Sequence, residues 1–280
     1  MEYERTPLGK RIPRKRTAAV AIVLFVGRLG DLYVLLSTRA SNMRSYASDT
    51  ALPGGKYEDG DEDEEGTARR EAYEEIGLPM DRDKVRKLCL LDAFLTGNGL
   101  IVTPVVLLVT DNALNPVLNP SEVTHLFSMP LTAFLHSHPS QIPGWHFGIS
   151  TRILAQGPPD VPPPPRVGYA EGEGEVGGKE GRYYQFRDVT WGQGVVRMHR
   201  FLTGREGGGV KPVYGLTSAI LIHAAMVGYD QRPDFPVFAP GQHTVQERIE
   251  WEVINGAGPL RRAMEAEGML GDWDEAKAKL

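Results

Sequence analysis

The chain has 280 residues, 41% hydrophobic and 24% charged, enough to bury the core of one large domain or two small ones. A formal net charge of −5 argues against a nucleic-acid-coating function, which needs a basic surface, but not against a small phosphorylated ligand. A single cysteine, Cys89, excludes an intrachain disulfide and fits a reducing compartment.

Residues 1–16 read as a flexible basic arm carrying Lys10, Arg11, Arg14, Lys15 and Arg16. The apolar run at 18–26 stops at Gly27-Arg28, short of the ~20 residues of a membrane span, and lacks a signal-peptide cleavage pattern. Runs at 18–25 and 32–37, separated by Gly27-Arg28-Leu29-Gly30-Asp31, predict a β-hairpin. Residues 67–76, rich in Ala, Arg and Glu and followed by Gly77 and Pro79, predict a helix with its stop. Strands are predicted at 85–95 and 101–109, and the apolar neighbours of Cys89 place it in the core rather than as a nucleophile. Residues 130–136 predict the opening of a helix.

The Pro- and Gly-rich stretch 157–181 has no apolar periodicity and cannot bury enough surface to offset its ordering entropy. It predicts a mobile insertion within one domain, because a strand resumes at 183–186 and an apolar helix at 213–228 closes the same core. A second, shorter flexible loop is expected at 204–209. The expected layout is an arm at 1–16, a domain at 17–255 and a tail at 256–280.

The chemistry concentrates between Gly54 and Leu78. Glu71, Glu74 and Glu75 stand at i, i+3 and i+4, so a helix puts three carboxylates on one face. Like charges at that spacing repel, and Arg70 alone cannot neutralise them. Oxygen-only ligands suit a hard divalent cation such as Mg²⁺ or Mn²⁺. Upstream, Gly54-Gly55 allows close backbone approach to a ligand, and its carbonyls offer further oxygens. Spacing alone leaves two readings, a cation site or a solvated acidic face.

The string from Gly55 to Leu78, ending Arg70-Glu71-Ala72-Tyr73-Glu74-Glu75-Ile76-Gly77, resembles the Nudix box. That resemblance implies an α/β Nudix fold, a mixed β-sheet sandwiched between α-helices, and metal-dependent hydrolysis of a pyrophosphate bond. It implies Glu71, Glu74, Glu75 and the Gly55 carbonyl as metal ligands, and Arg70 as the residue that holds the carboxylates in register. The stretch from Gly55 to Arg70 is one residue longer than usual, which leaves Asp61 and Glu62 both open for the first acidic position. Glu122, in Asn119-Pro120-Ser121-Glu122-Val123, matches the downstream glutamate that the family often recruits as base or ligand.

Residues 35–52, with Leu35-Leu36-Ser37-Thr38-Arg39 and Arg44, are similar to the coenzyme A pyrophosphatase subgroup, as is Lys211-Pro212-Val213-Tyr214-Gly215-Leu216-Thr217. Leu52, where that subgroup has Phe, and the absence of a glycine before Asp49 depart from its pattern. This resemblance implies coenzyme A or acyl-coenzyme A as substrate, with Arg39, Arg44, Gly54, Gly55 and Lys56 contacting it. The alternatives are hydrolysis of other nucleoside diphosphate derivatives, such as 8-oxo-dGTP or NADH, and a non-catalytic Nudix fold used as a ligand-binding protein. The terminal Ala278-Lys279-Leu280 is a variant of the Ser-Lys-Leu peroxisomal address, which implies a peroxisomal import receptor as partner, or otherwise the cytoplasm. No nucleic-acid or membrane partner is expected.

Overall fold

The computed structural model describes residues 12–43, 45–111, 114–142, 173–174 and 183–271. The expected hairpin forms as β1 (Thr17–Val26) and β2 (Leu32–Arg39), antiparallel, with Gly30 at φ 87 in the turn. After it come β3 (Thr50–Ala51), β4 (Gly54–Lys56), helix α1 (Glu64–Ile76), β5 (Val85–Leu90), β6 (Phe94–Leu95), β7 (Ile101–Val109) and β8 (Val123–Pro130). The sheet runs β3-β2-β1-β7-β5, with β4 on β1, β6 on β7 and β8 on β2. It is mixed, because β1 and β7 pair in parallel while the other pairs are antiparallel.

The run at β1 is apolar throughout because both of its faces are covered. Ala19, Ala21 and Val23 meet Ala68, Ala72 and Ile76 of α1. Ala18, Ile22 and Leu24 face the opposite core, with Tyr183, Phe201, Ile220 and Leu221. There the expected closing helix, α2 (Gly215–Tyr229), covers the sheet from the second side. The α/β/α arrangement is therefore the one expected. A second sheet, unanticipated, has the order β12-β11-β10-β9, from β9 (Glu173–Gly174), β10 (Tyr184–Trp191), β11 (Gly194–Phe201) and β12 (Val213–Tyr214). Helices α3 (Val245–Ile254) and α4 (Pro259–Ala266) follow, and Leu260 and Met264 pack with Ile12, Leu95, Ile101, Ile249 and Val253.

Several expectations need correction. Cys89 is exposed, not in the core, because β5 is an edge strand whose ladder to β7 slips between Lys87 and Cys89. The strand expected at 85–95 is broken into β5 and β6. The helix expected at 130–136 is a 3-10 turn, Leu131–Leu135, with no side-chain cap at Pro130. The helix expected from residue 213 begins at Gly215, after a short strand. The insertion at 157–181, apart from Glu173–Gly174, lies outside the described residues, as do Arg44 and Ala278-Lys279-Leu280.

Helix α1 starts a turn earlier than its apolar pattern suggests because Asp63 caps it, accepting from Gly66 N at 2.9 Å. It ends where Gly77 takes φ 66. Its back is tied to β5 through two buried ions: Glu65 meets Arg69 at 2.8 Å and the exposed Lys87 at 2.6 Å, and Arg69 donates to the Val85 carbonyl at 2.7 Å. Removing one partner of a buried pair strands the other charge. Glu65→Ala is expected to cost about 3 kcal/mol in urea denaturation, and a loss below about 0.5 kcal/mol would contradict this role.

Candidate active site

Strand β4 lies on β1 with Gly54 opposite Val20 and Gly55 opposite Ala19. A Cβ at Gly54 would come within 2.5 Å of the Ala19 carbonyl oxygen and 2.7 Å of the Val20 Cα. A Cβ at Gly55 would come within 2.2 Å of Glu71 Oε1. Two glycines are therefore what lets the backbone run between β1 and the carboxylates of α1.

On that surface Glu75 accepts from Gly54 N at 3.3 Å and faces Arg39 at 3.6 Å. Burial pushes the Glu75 carboxyl up to about 8; Arg39 opposes this, and repulsion from Glu71 and Glu122 adds to it. Burial also raises Glu71, against the pull of Arg70. Glu122 reaches this field because its turn is tied to the end of α1, Asn119 N donating to the Glu75 carbonyl at 3.0 Å. Its own carbonyl accepts from Ala40 N at 2.7 Å, joining the turn to the end of β2.

Arg70 is the hub of the outer edge. It reaches Asp61 at 2.9 and 3.1 Å, Glu71 at 3.1 Å, Glu74 at 3.1 Å and the Lys56 carbonyl at 3.0 Å. Asp61 also accepts from Thr67 at 2.8 Å and from Glu58 N at 2.9 Å. Burial works against the charged Asp61, yet these bonds hold its carboxyl below the usual carboxylate range. Donating to the Asp61 carboxylate in turn raises Arg70 above its ordinary value.

Residues 15–146 match the NUDIX domain family. A Nudix hydrolase of Photorhabdus laumondii, NudL, is 37% identical over 135 residues, covering 48% of this chain and 70% of that protein. The chain belongs to the Nudix hydrolase family. Nudix hydrolase 15 of Arabidopsis thaliana, named mitochondrial, is 34% identical over 233 residues, 82% of this chain and 65% of that protein. Peroxisomal coenzyme A diphosphatase 1 of Saccharomyces cerevisiae is 35% identical over 157 residues, 46% of each chain. The chain thus spans less than two thirds of the length of the Arabidopsis and yeast relatives.

Within this Nudix site the structure separates the two acidic residues that spacing left open. Asp61 pairs with Arg70, whereas Glu62 is exposed. It also brings Arg39 to Glu75, a contact the sequence did not indicate, at the end of β2 where the register with β8 shifts by one residue, leaving Thr124 of β8 without an opposite. The Lys56 side chain is exposed, and its carbonyl serves Arg70.

The donor set suits a hard divalent cation: buried Glu75 and half-buried Glu71 are oxygen ligands whose surroundings disfavour an uncompensated charge, and they stand against Gly54 and Gly55. Among the described residues no three Asp, Glu, His or Cys side chains stand together so as to hold a metal ion, and Glu74 is held by Arg70.

Proposed function

We propose that this Nudix chain hydrolyses the diphosphate bond of coenzyme A or an acyl derivative, giving 4′-phosphopantetheine and adenosine 3′,5′-bisphosphate. The observation that carries hydrolysis is the pair Glu71 and Glu75, buried against Gly54-Gly55 with carboxyls above their ordinary range. The substrate is supported by residues 35–52 and 211–217, which resemble the coenzyme A pyrophosphatases, and by the name of the yeast relative.

Glu71, Glu74, Glu75 and the Gly55 carbonyl would hold Mg²⁺ or Mn²⁺. When bound, the metal lowers the pKa of a water and neutralises charge that grows on the bridging oxygen. The chain's own groups do the rest. Water attacks one phosphorus, the phosphoanhydride bond breaks, and Glu122, near enough to repel the charge of Glu75, takes the proton or supplies a further ligand. Arg39 has a buried Nε–H with no partner among the described residues, and it can donate to a phosphate oxygen. Arg70 keeps Glu71 and Glu74 facing the site from its place on Asp61. Arg44 and Lys56 complete the set of substrate contacts in this reading, and residues 17–255 form its catalytic domain.

The yeast relative is named peroxisomal and the Arabidopsis one mitochondrial; we propose the peroxisome, in keeping with the substrate. The substrate is tested by comparing kcat/KM for coenzyme A, its thioesters, 8-oxo-dGTP and NADH. Coenzyme A or a thioester is expected to lead by at least about tenfold, with 4′-phosphopantetheine detected by mass spectrometry. A best rate on 8-oxo-dGTP would overturn the substrate, and binding of coenzyme A without product release would overturn hydrolysis.

A further inference from the structure

The NUDIX match ends at residue 146, yet a residue far beyond it grips the loop that leads into the active site. Lys211 sits between the buried Val210 and Val213, both in the main core, so its backbone is well anchored. Its ammonium reaches the Asp49 carboxylate at 2.7 Å and donates to the Ala47 carbonyl at 2.9 Å. Its own carbonyl accepts from the Thr50 hydroxyl at 2.5 Å. One residue thus holds three positions of the 47–50 segment from both ends of its own length.

The held segment is one that does not rest easily by itself. Tyr46 and Ser48 take φ 56 and 60, left-handed backbone that non-glycine residues adopt only when their surroundings impose it. The phenol of Tyr214, three residues after Lys211, faces the Asp49 carboxylate as well. From Asp49 the connection continues inward. The Asp49 carbonyl accepts from Arg39 N at 2.9 Å, and the Arg39 guanidinium faces Glu75 at 3.6 Å.

We propose that Lys211 is a positioning residue of the active site. It fixes the 47–50 segment and, through the Asp49 carbonyl that accepts from Arg39 N, the end of β2 from which Arg39 faces Glu75 and the phosphates. This rests on the hydrolase reading above, with Arg39 as a substrate contact. An ordinary exposed ion pair would leave both loop and substrate binding unchanged when removed.

The test compares Lys211→Met and Lys211→Arg with the wild-type full chain by amide hydrogen exchange without substrate, and by kinetics on the best diphosphate substrate of the panel. In Lys211→Met, exchange at Arg39 and at 46–49 is expected to quicken by about tenfold or more. KM is expected to rise by about tenfold while kcat stays within about threefold. Lys211→Arg, which keeps the charge, should return both towards wild type. Wild-type exchange and KM in Lys211→Met would overturn the proposal, as would a fall in kcat at unchanged KM or equal losses in the Met and Arg variants. An inactive wild type would refute the hydrolase reading instead, and the exchange comparison would still decide whether Lys211 holds the loop.

Discussion

Glu75→Gln is expected to leave a folded protein whose kcat has fallen by about a thousandfold. The amide keeps the shape of the side chain and can still accept from Gly54 N, so the packing of α1 on the sheet has no reason to change. What it loses is the negative charge that a divalent cation needs. Wild-type turnover in this variant with Mg²⁺ present would contradict the role given to Glu75.

The same substitution separates charge from fold through pH. The carboxyl of Glu75 is pushed up to about 8 in the fold, from an ordinary 4.5. Because the folded value is the higher one, the stability tied to the neutral form is fully present below about pH 4.5 and is lost as pH rises through about 8. A cation binds the ionised form, so protons compete with it at lower pH. The rise in melting temperature on adding Mg²⁺ should therefore be larger at pH 8.5 than at pH 6, and the difference should vanish in Glu75→Gln. A Mg²⁺ effect independent of pH would count against this account.

The two glycines of β4 give the second large effect, and they should fail differently. Gly54→Ala drives a Cβ into the Ala19 carbonyl oxygen and the Val20 Cα, both backbone of a central strand that cannot yield. It is expected to destabilise the fold by about 3 kcal/mol or more. In Gly55→Ala the nearest atoms that the new Cβ meets are the end of the Glu71 side chain, which can swing away. That variant should fold and melt nearly as wild type while kcat/KM falls by about a hundredfold, because the carboxylate is displaced from its place against Gly55. Thermal melts and steady-state kinetics on both variants check this. Equal stability loss in the two would show that the close approach at Gly55 is not specific to Glu71.

What could be read from the sequence was what is local in the chain. The glutamates of α1, the Gly77 stop and the β1–β2 hairpin depend on neighbours within a few residues, and all three elements are present. Asp61 and Glu62 could not be told apart, because spacing counts residues but does not show which way the loop turns before Asp63 caps the helix. Cys89 was misread because Leu88, Leu90 and Leu91 suggest a buried run, whereas an edge strand with a register slip leaves Leu88 54% exposed. The contact between Lys211 and Asp49 spans 162 positions, and nothing in either segment announces the other. Arg39 reads as a ligand for substrate phosphate alone, since its approach to Glu75 joins positions 36 residues apart and depends on how β2 and α1 pack.

The central claim is that Glu71 and Glu75 hold divalent cations against the Gly55 carbonyl. Anomalous diffraction from a crystal soaked in Mn²⁺ tests it most directly. The account predicts a peak within about 2.0–2.5 Å of oxygens from both carboxylates. A peak elsewhere on the molecule, or none between those side chains at saturating Mn²⁺, would contradict it.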